Sequence, residues 1–174
     1  YCNRRWKWIG EFDDVGTVFY GRALAALARN YNLEKRYERA LACADEGLHV
    51  LYQNESLQGR GAADLVEMLC YSARGDAMRG LGHCAEGVMR NYEQVLLHYQ
   101  RHVAAEPDGQ DRRRLLRESG GRWPWTRDRL YPSETLSRME AAVRELAPSL
   151  TPAMQALAQS IMREINSWRE DAPV

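Results

Sequence analysis

The chain has 174 residues and a mass of 20.0 kDa, enough for one domain with its own core. Lysine plus arginine equals aspartate plus glutamate, 24 against 24, so no net field draws the protein to nucleic acid or to an acidic membrane. No apolar run approaches the ~18–20 residues of a membrane span, and the four cysteines lack a CxxC spacing, which argues against a disulfide or zinc framework.

The cysteines read as free thiols of the cytoplasm or another reducing intracellular compartment, with Cys43, Cys70 and Cys84 buried in helical patterns. Because the chain starts at Tyr1 rather than Met, it is expected to be a piece of something longer.

Residues 1–13 have no clear period and read as an arm packed on the domain, with a short strand over RWKWI as the alternative. Asp14 opens a helix to about Asn32, with Val15, Val18, Phe19, Ala23, Ala26, Leu27 and Tyr31 as its apolar side. NLEKR is the turn. A second helix runs from about Glu34 to Tyr52, where Tyr37, Leu41, Ala44, Leu48 and Leu51 recur three or four apart. After the connector QNESLQGRG, a third periodic segment places Leu65, Leu69 and Ser72 on one stripe, with Val66, Cys70 and Ala73 beside it. Gly75, Gly80 and Gly82 each cost about 1 kcal/mol in a helix interior, so a kink or close packing is expected there.

A fourth helix starts near Asn91 and stops before Pro107. Residues 106–132 break the pattern and read as a long connector. Ser133 then caps a helix bearing Leu136, Met139, Val143 and Leu146. Thr151 caps another at Pro152, with Met154, Leu157, Ile161, Ile165 and Trp168 in step. These last two form an antiparallel hairpin over 133–169. No strand-rich region competes, so the expectation is a single all-α domain.

Leu27–Ala28, Tyr31, Tyr37, Ala40, Gly47 and Leu48 resemble the signature of a tetratricopeptide repeat, in which small residues let two helices approach and aromatics fill the turn. A second copy follows with Leu81–Gly82, Tyr92, Val95, Tyr99, Val103 and Pro107. Tyr92 stands 55 residues after Tyr37, against the family's ~34, so an additional helix near 62–73 is expected either to intervene between the copies or to extend the second. The resemblance covers about half of the chain. It implies helical hairpins over 14–105 stacked as a short superhelix, with a concave groove that binds a peptide or helix. Carried over position by position, that groove falls on Arg22, Arg29, Asn32, Arg79 and His83, a partly cationic surface suited to an acidic partner.

Three other patterns carry chemistry. Gln94, His98 and His102 stand at steps of four, but the glutamate after the first histidine and a third ligand are lacking. The edge reads as solvated or partner-facing, and no metal or cofactor is expected. His83 and Cys84 are helical neighbours that point about 100° apart, and Asp13–Asp14 reads as a helix cap. Arg112, Arg113 and Arg114, with Trp123 and Trp125, form an alternative partner surface. Interspersed acids argue against nucleic acid there.

The resulting expectation is a non-enzymatic interaction or scaffold domain. A regulatory or oligomerisation domain of a larger transcription regulator is the alternative, because AAEPDGQDRRRLL and LYPSETLSRMEAAV resemble pieces of bacterial transcriptional activation domains. A small metal-dependent enzyme using His98 and His102 is the third reading.

Overall fold

The computed structural model describes residues 14–105 and 127–170; the arm over 1–13 and most of the connector, 106–126, lie outside the described residues. Six α-helices account for nearly all of the described chain, and no strand occurs among those residues. They are α1 (Asp14–Leu33), α2 (Tyr37–Gln53), α3 (Gly61–Gly80), α4 (Ala85–Ala105), α5 (Arg127–Leu146) and α6 (Pro152–Glu170). The all-α reading holds.

Small residues set how α1 packs. Thr17, Gly21, Leu24, Ala25 and Ala28 are its buried positions, and Gly21 lies close to Val66 of α3 and Leu51 of α2. The apolar side expected from the sequence is the wrong one: Val15, Phe19 and Leu27 are 61%, 65% and 46% exposed. Their bulk would hold the helices apart, whereas glycine and alanine let backbones approach closely. On α2, Ala40, Ala44, Gly47, Leu48 and Leu51 are buried, as the spacing predicts in part.

Both α1 and α3 are 20 residues long and end in the same way. At the end of α1, Arg36 N donates to Tyr31 O (2.8 Å) and Lys35 N to Asn32 O (3.0 Å). At the end of α3, His83 N donates to Met78 O (2.9 Å) and Gly82 N to Arg79 O (3.0 Å). Each is a Schellman turn around a left-handed residue, Lys35 in one and Gly82 in the other.

The buried positions repeat in the register of the turns in the first helices, and one residue further along in the second helices. Thr17, Gly21, Ala25 and Ala28 of α1 correspond to Asp64, Met68, Ser72 and Gly75 of α3. In the second helices, Ala40, Ala44, Gly47 and Leu48 correspond to Val88, Tyr92, Val95 and Leu96, all buried.

That register corrects the expected one. Tyr37 opens α2, but Tyr92 lies well inside α4, fully buried, with its O–H donating to Asp76 (2.8 Å). Leu81–Gly82 is a turn rather than part of a helix. Of the two alternatives for the segment near 62–73, it does not intervene as a separate helix; it belongs to α3, the first helix of the second hairpin. Asn91 does not start α4, which begins at Ala85; its Nδ2 donates back to Gly87 O (2.7 Å) and its Oδ1 accepts from Arg74 (3.0 Å). The glycines do mark close packing: a Cβ on Gly75 would lie 2.7 Å from Tyr92 Cε1.

The C-terminal hairpin packs on the second hairpin. Met139, Ala142 and Val143 of α5 and Ala158, Ile161 and Ile165 of α6 join Met68, Val88, Met89, Tyr92 and Val95 in one core. Each large apolar side chain buried there contributes about 1.5–3 kcal/mol. Thr151 caps α6 as expected, accepting from Met154 N (3.4 Å), with Pro152 at the first helical position. The backbone of α5 starts at Arg127, ahead of the expected Ser133, and runs through Pro132. A smaller core of Ala25, Leu48, Leu51, Leu57, Ala63, Val66 and Cys70 joins the first hairpin to α3.

Candidate functional site

Helical periodicity brings Arg22 and Arg29, two turns apart, onto one side of α1. Leu65, Leu69 and Ala73 stand one turn apart on α3, and Thr135 and Arg138 come from α5. With Ala25 and Ala26 they line a cleft of about 60 Å³. Small-molecule and cofactor pockets run to ~300–1,000 Å³, so this space suits one side chain.

The mouth of the cleft is cationic but partly compensated. Arg29 Nη2 pairs with Glu134 at 2.5 Å, and Arg138 Nη1 stands 3.6 Å from Asp76 Oδ2. Among the described residues, the buried Arg138 Nε has no hydrogen-bond acceptor. A buried N–H left without an acceptor is costly, and for a guanidinium a carboxylate is the natural one.

The other expected partner residues do not join this surface. Asn32 Nδ2 donates to Ala73 O (2.8 Å) and so ties α1 to α3. Arg79 pairs with Glu145 of α5 at 2.6 Å, and His83 is exposed in the turn before α4. The concave side that the repeat reading offers to a partner is therefore bridged in part by the chain's own α5, through Arg29–Glu134 and Arg79–Glu145. Arg112, Arg113, Arg114, Trp123 and Trp125 lie outside the described residues.

A second cluster lies between α3 and α4. His98 Nδ1 is 2.9 Å from Asp64 Oδ1 and 2.8 Å from Glu67 Oε2, with the three side chains only 4%, 3% and 12% exposed. Tyr71 stacks on the imidazole at 5.5 Å between centroids, and its hydroxyl lies 2.8 Å from that of Tyr52. Burial opposes the imidazolium, but hydrogen bonds to Glu67 and Asp64, and their charges, outweigh it. The pKa of His98 therefore lies above the ordinary 6.5. His102 does not converge with it; its Nδ1 stands 2.6 Å from Gly61 O. The expected solvated edge is thus a buried polar network. Asp64 and Glu67 escaped sequence reasoning because charged side chains are rarely buried. Their one signal was an Asp and a Glu three apart within the apolar run ADLVEMLC.

The thiols separate by place. Cys70 is buried, and burial, with Glu67 and Asp45 adding, pushes its pKa up to about 12. Cys43 is half-buried. Cys84 is exposed, against the expectation, because it stands in the turn before α4 rather than within a helix. Asp14 does more than start α1: its carboxylate accepts from Asn54 (3.1 Å) and Ser56 and pairs with Arg60 (2.9 Å), which fixes the α2–α3 connector. No described helix is long and apolar enough to cross a membrane.

No protein-family model, no curated protein and no solved structure matches the chain.

Proposed function

We propose that this chain is a non-enzymatic protein–protein interaction domain, built from two tetratricopeptide-like hairpins, whose α1–α3–α5 cleft receives an acidic side chain of a partner segment. The carrying observation is the cleft itself: Arg22, Arg29 and Arg138 surround an apolar floor, and among the described residues Arg138 Nε lacks an acceptor. Guanidinium groups recognise carboxylates with two parallel hydrogen bonds, which gives both orientation and strength.

The surface beside the cleft supports the same reading. Val15, Phe19, Arg22, Ala26, Arg29 and Leu33 follow one another at steps of four and three along α1. Val15, Phe19 and Leu33 are 61%, 65% and 67% exposed. An amphipathic peptide with acidic and apolar residues one turn apart matches that stripe. Three free thiols among the described residues suit a reducing compartment such as the cytoplasm.

A displayed library of random peptides, selected on the purified chain, tests the proposal. The expected outcome is enrichment of sequences that pair Asp or Glu with apolar residues. Their binding should fall at least ~10-fold in Arg22→Glu, a loss of about 1.4 kcal/mol, and weaken with salt because exposed charges are screened beyond ~8–10 Å. Enrichment of neutral or basic peptides, or equal binding by a folded Arg22→Glu variant, would overturn it.

A further inference from the structure

Two buried carboxylates, Asp64 and Glu67, converge on one imidazole, that of His98. Among the described residues neither Asp64 nor Glu67 pairs with an arginine or lysine. Among the described residues, Asp64 Oδ2 is buried and has no hydrogen-bond donor. A buried charge without full compensation is strongly unfavourable, and an orphaned buried carboxylate oxygen calls for a partner of its own.

The geometry is that of a ligand set. Asp64 and Glu67 stand three apart on α3, which places both carboxylates on the face turned to α4, and His98 meets them from α4. One donor atom from each lies within 4.8 Å of the others. The N···O separations of 2.8 and 2.9 Å are those of hydrogen bonds, and opening them by about 0.5 Å gives the edge of a tetrahedron with bonds of ~2.0–2.1 Å. A cation between them takes the Nδ1 position now used for hydrogen bonding and draws in both carboxylates.

We infer that Asp64, Glu67 and His98 bind one divalent transition-metal ion, of the zinc class. Mixed nitrogen and oxygen donors favour such an ion over magnesium or calcium, which prefer all-oxygen sites. The ion places positive charge between the two buried carboxylates, which otherwise face each other across one imidazole. Tyr71, stacked on the imidazole and held by Tyr52, fixes the ring plane in the way that outer groups orient metal-bound histidines. Three protein donors leave at least one position of a four-coordinate ion open. The site is separate from the cleft and does not depend on the binding function proposed for it.

The test uses the full chain, stripped with a chelator and dialysed. Zinc is titrated by calorimetry, and cobalt(II) is added separately as a spectroscopic probe. One ion per chain is expected, with a rise in Tm and a cobalt spectrum free of thiolate charge transfer. Exposed Cys84 and His83 are the obvious adventitious ligands, so Cys84→Ser must bind as the unmodified chain does. Glu67→Gln, the most accessible ligand change, should weaken zinc at least ~10-fold, and His98→Gln should do the same. Circular dichroism confirms that each variant is folded; if His98→Gln does not fold, Glu67→Gln alone decides. Absence of stoichiometric zinc binding overturns the inference. So does binding that survives Glu67→Gln unchanged, or that is lost with Cys84→Ser.

Discussion

Replacing Lys35 by glycine should stabilise the protein. Lys35 has φ of 59°, and Cβ crowding in the left-handed region costs an L-residue about 1–2 kcal/mol. Its counterpart at the end of α3 is Gly82, with φ of 72° and nothing within 4 Å of where a Cβ would stand. Glycine loses more freedom on folding, which offsets about 0.5–1 kcal/mol of the relief. The net expectation for Lys35→Gly is a gain of about 0.5–1 kcal/mol, and Gly82→Lys should lose a similar amount. Lys35 is exposed, so little else changes. Urea unfolding followed by far-UV circular dichroism measures both, and in a chain of this size ~1 kcal/mol moves Tm by about 2–4 °C. Destabilisation by Lys35→Gly, or shifts of the same sign in both variants, would refute the equivalence of the two turns.

Three further outcomes are expected. Gly75→Ala should destabilise by about 1–2 kcal/mol in chemical unfolding, although helix propensity alone favours alanine by about 1 kcal/mol. The new methyl would meet Tyr92, which is fully buried and held by Asp76; a more stable variant would contradict that packing. In thiol labelling read by mass spectrometry, Cys84 should react first, Cys43 more slowly and Cys70 only on unfolding, and rapid labelling of Cys70 would contradict its burial. Hydrogen bonds from Ser56 and Asn54, with Arg60 nearby, hold the Asp14 carboxyl below its ordinary 3.8 despite some desolvation. A depressed carboxylate pKa stabilises the fold above the unfolded value and ceases to do so as pH falls through the folded one. The stability difference between the unmodified chain and Asp14→Asn should therefore be constant near neutrality and shrink below about pH 3.8; a difference unchanged in acid would rule out that role.

Helix positions were legible where local signals end helices: NLEKR and Thr151–Pro152 each stop or start one where expected, whereas Gly82, read as lying inside a helix, ends α3 in a left-handed turn. The buried face of α1 was not, because two faces are apolar and periodicity does not say which one meets a neighbour. Close approach chose Gly21, Ala25 and Ala28, and left Val15 and Phe19 outside. The repeat register went astray on aromatic markers. Tyr37 and Tyr92 do different jobs, one opening a helix and the other filling the space above Gly75, while the equivalent features are the two left-handed turns. Of the proposed groove, Arg22 and Arg29 were found from the sequence. Arg138 was not, because only the tertiary position of α5 brings it there. Asp64 and Glu67 become visible as a set once His98 is placed opposite them.

The central claim is that the α1–α3–α5 cleft takes an acidic segment. Titrating an enriched acidic peptide into isotope-labelled protein and following backbone amide shifts by NMR tests it most directly. The account predicts the largest shifts at Arg22, Ala26, Arg29, Leu65, Leu69 and Thr135, with little change at Gln94 and Tyr99 on α4. Shifts confined to α4, or spread evenly over the chain, would contradict it.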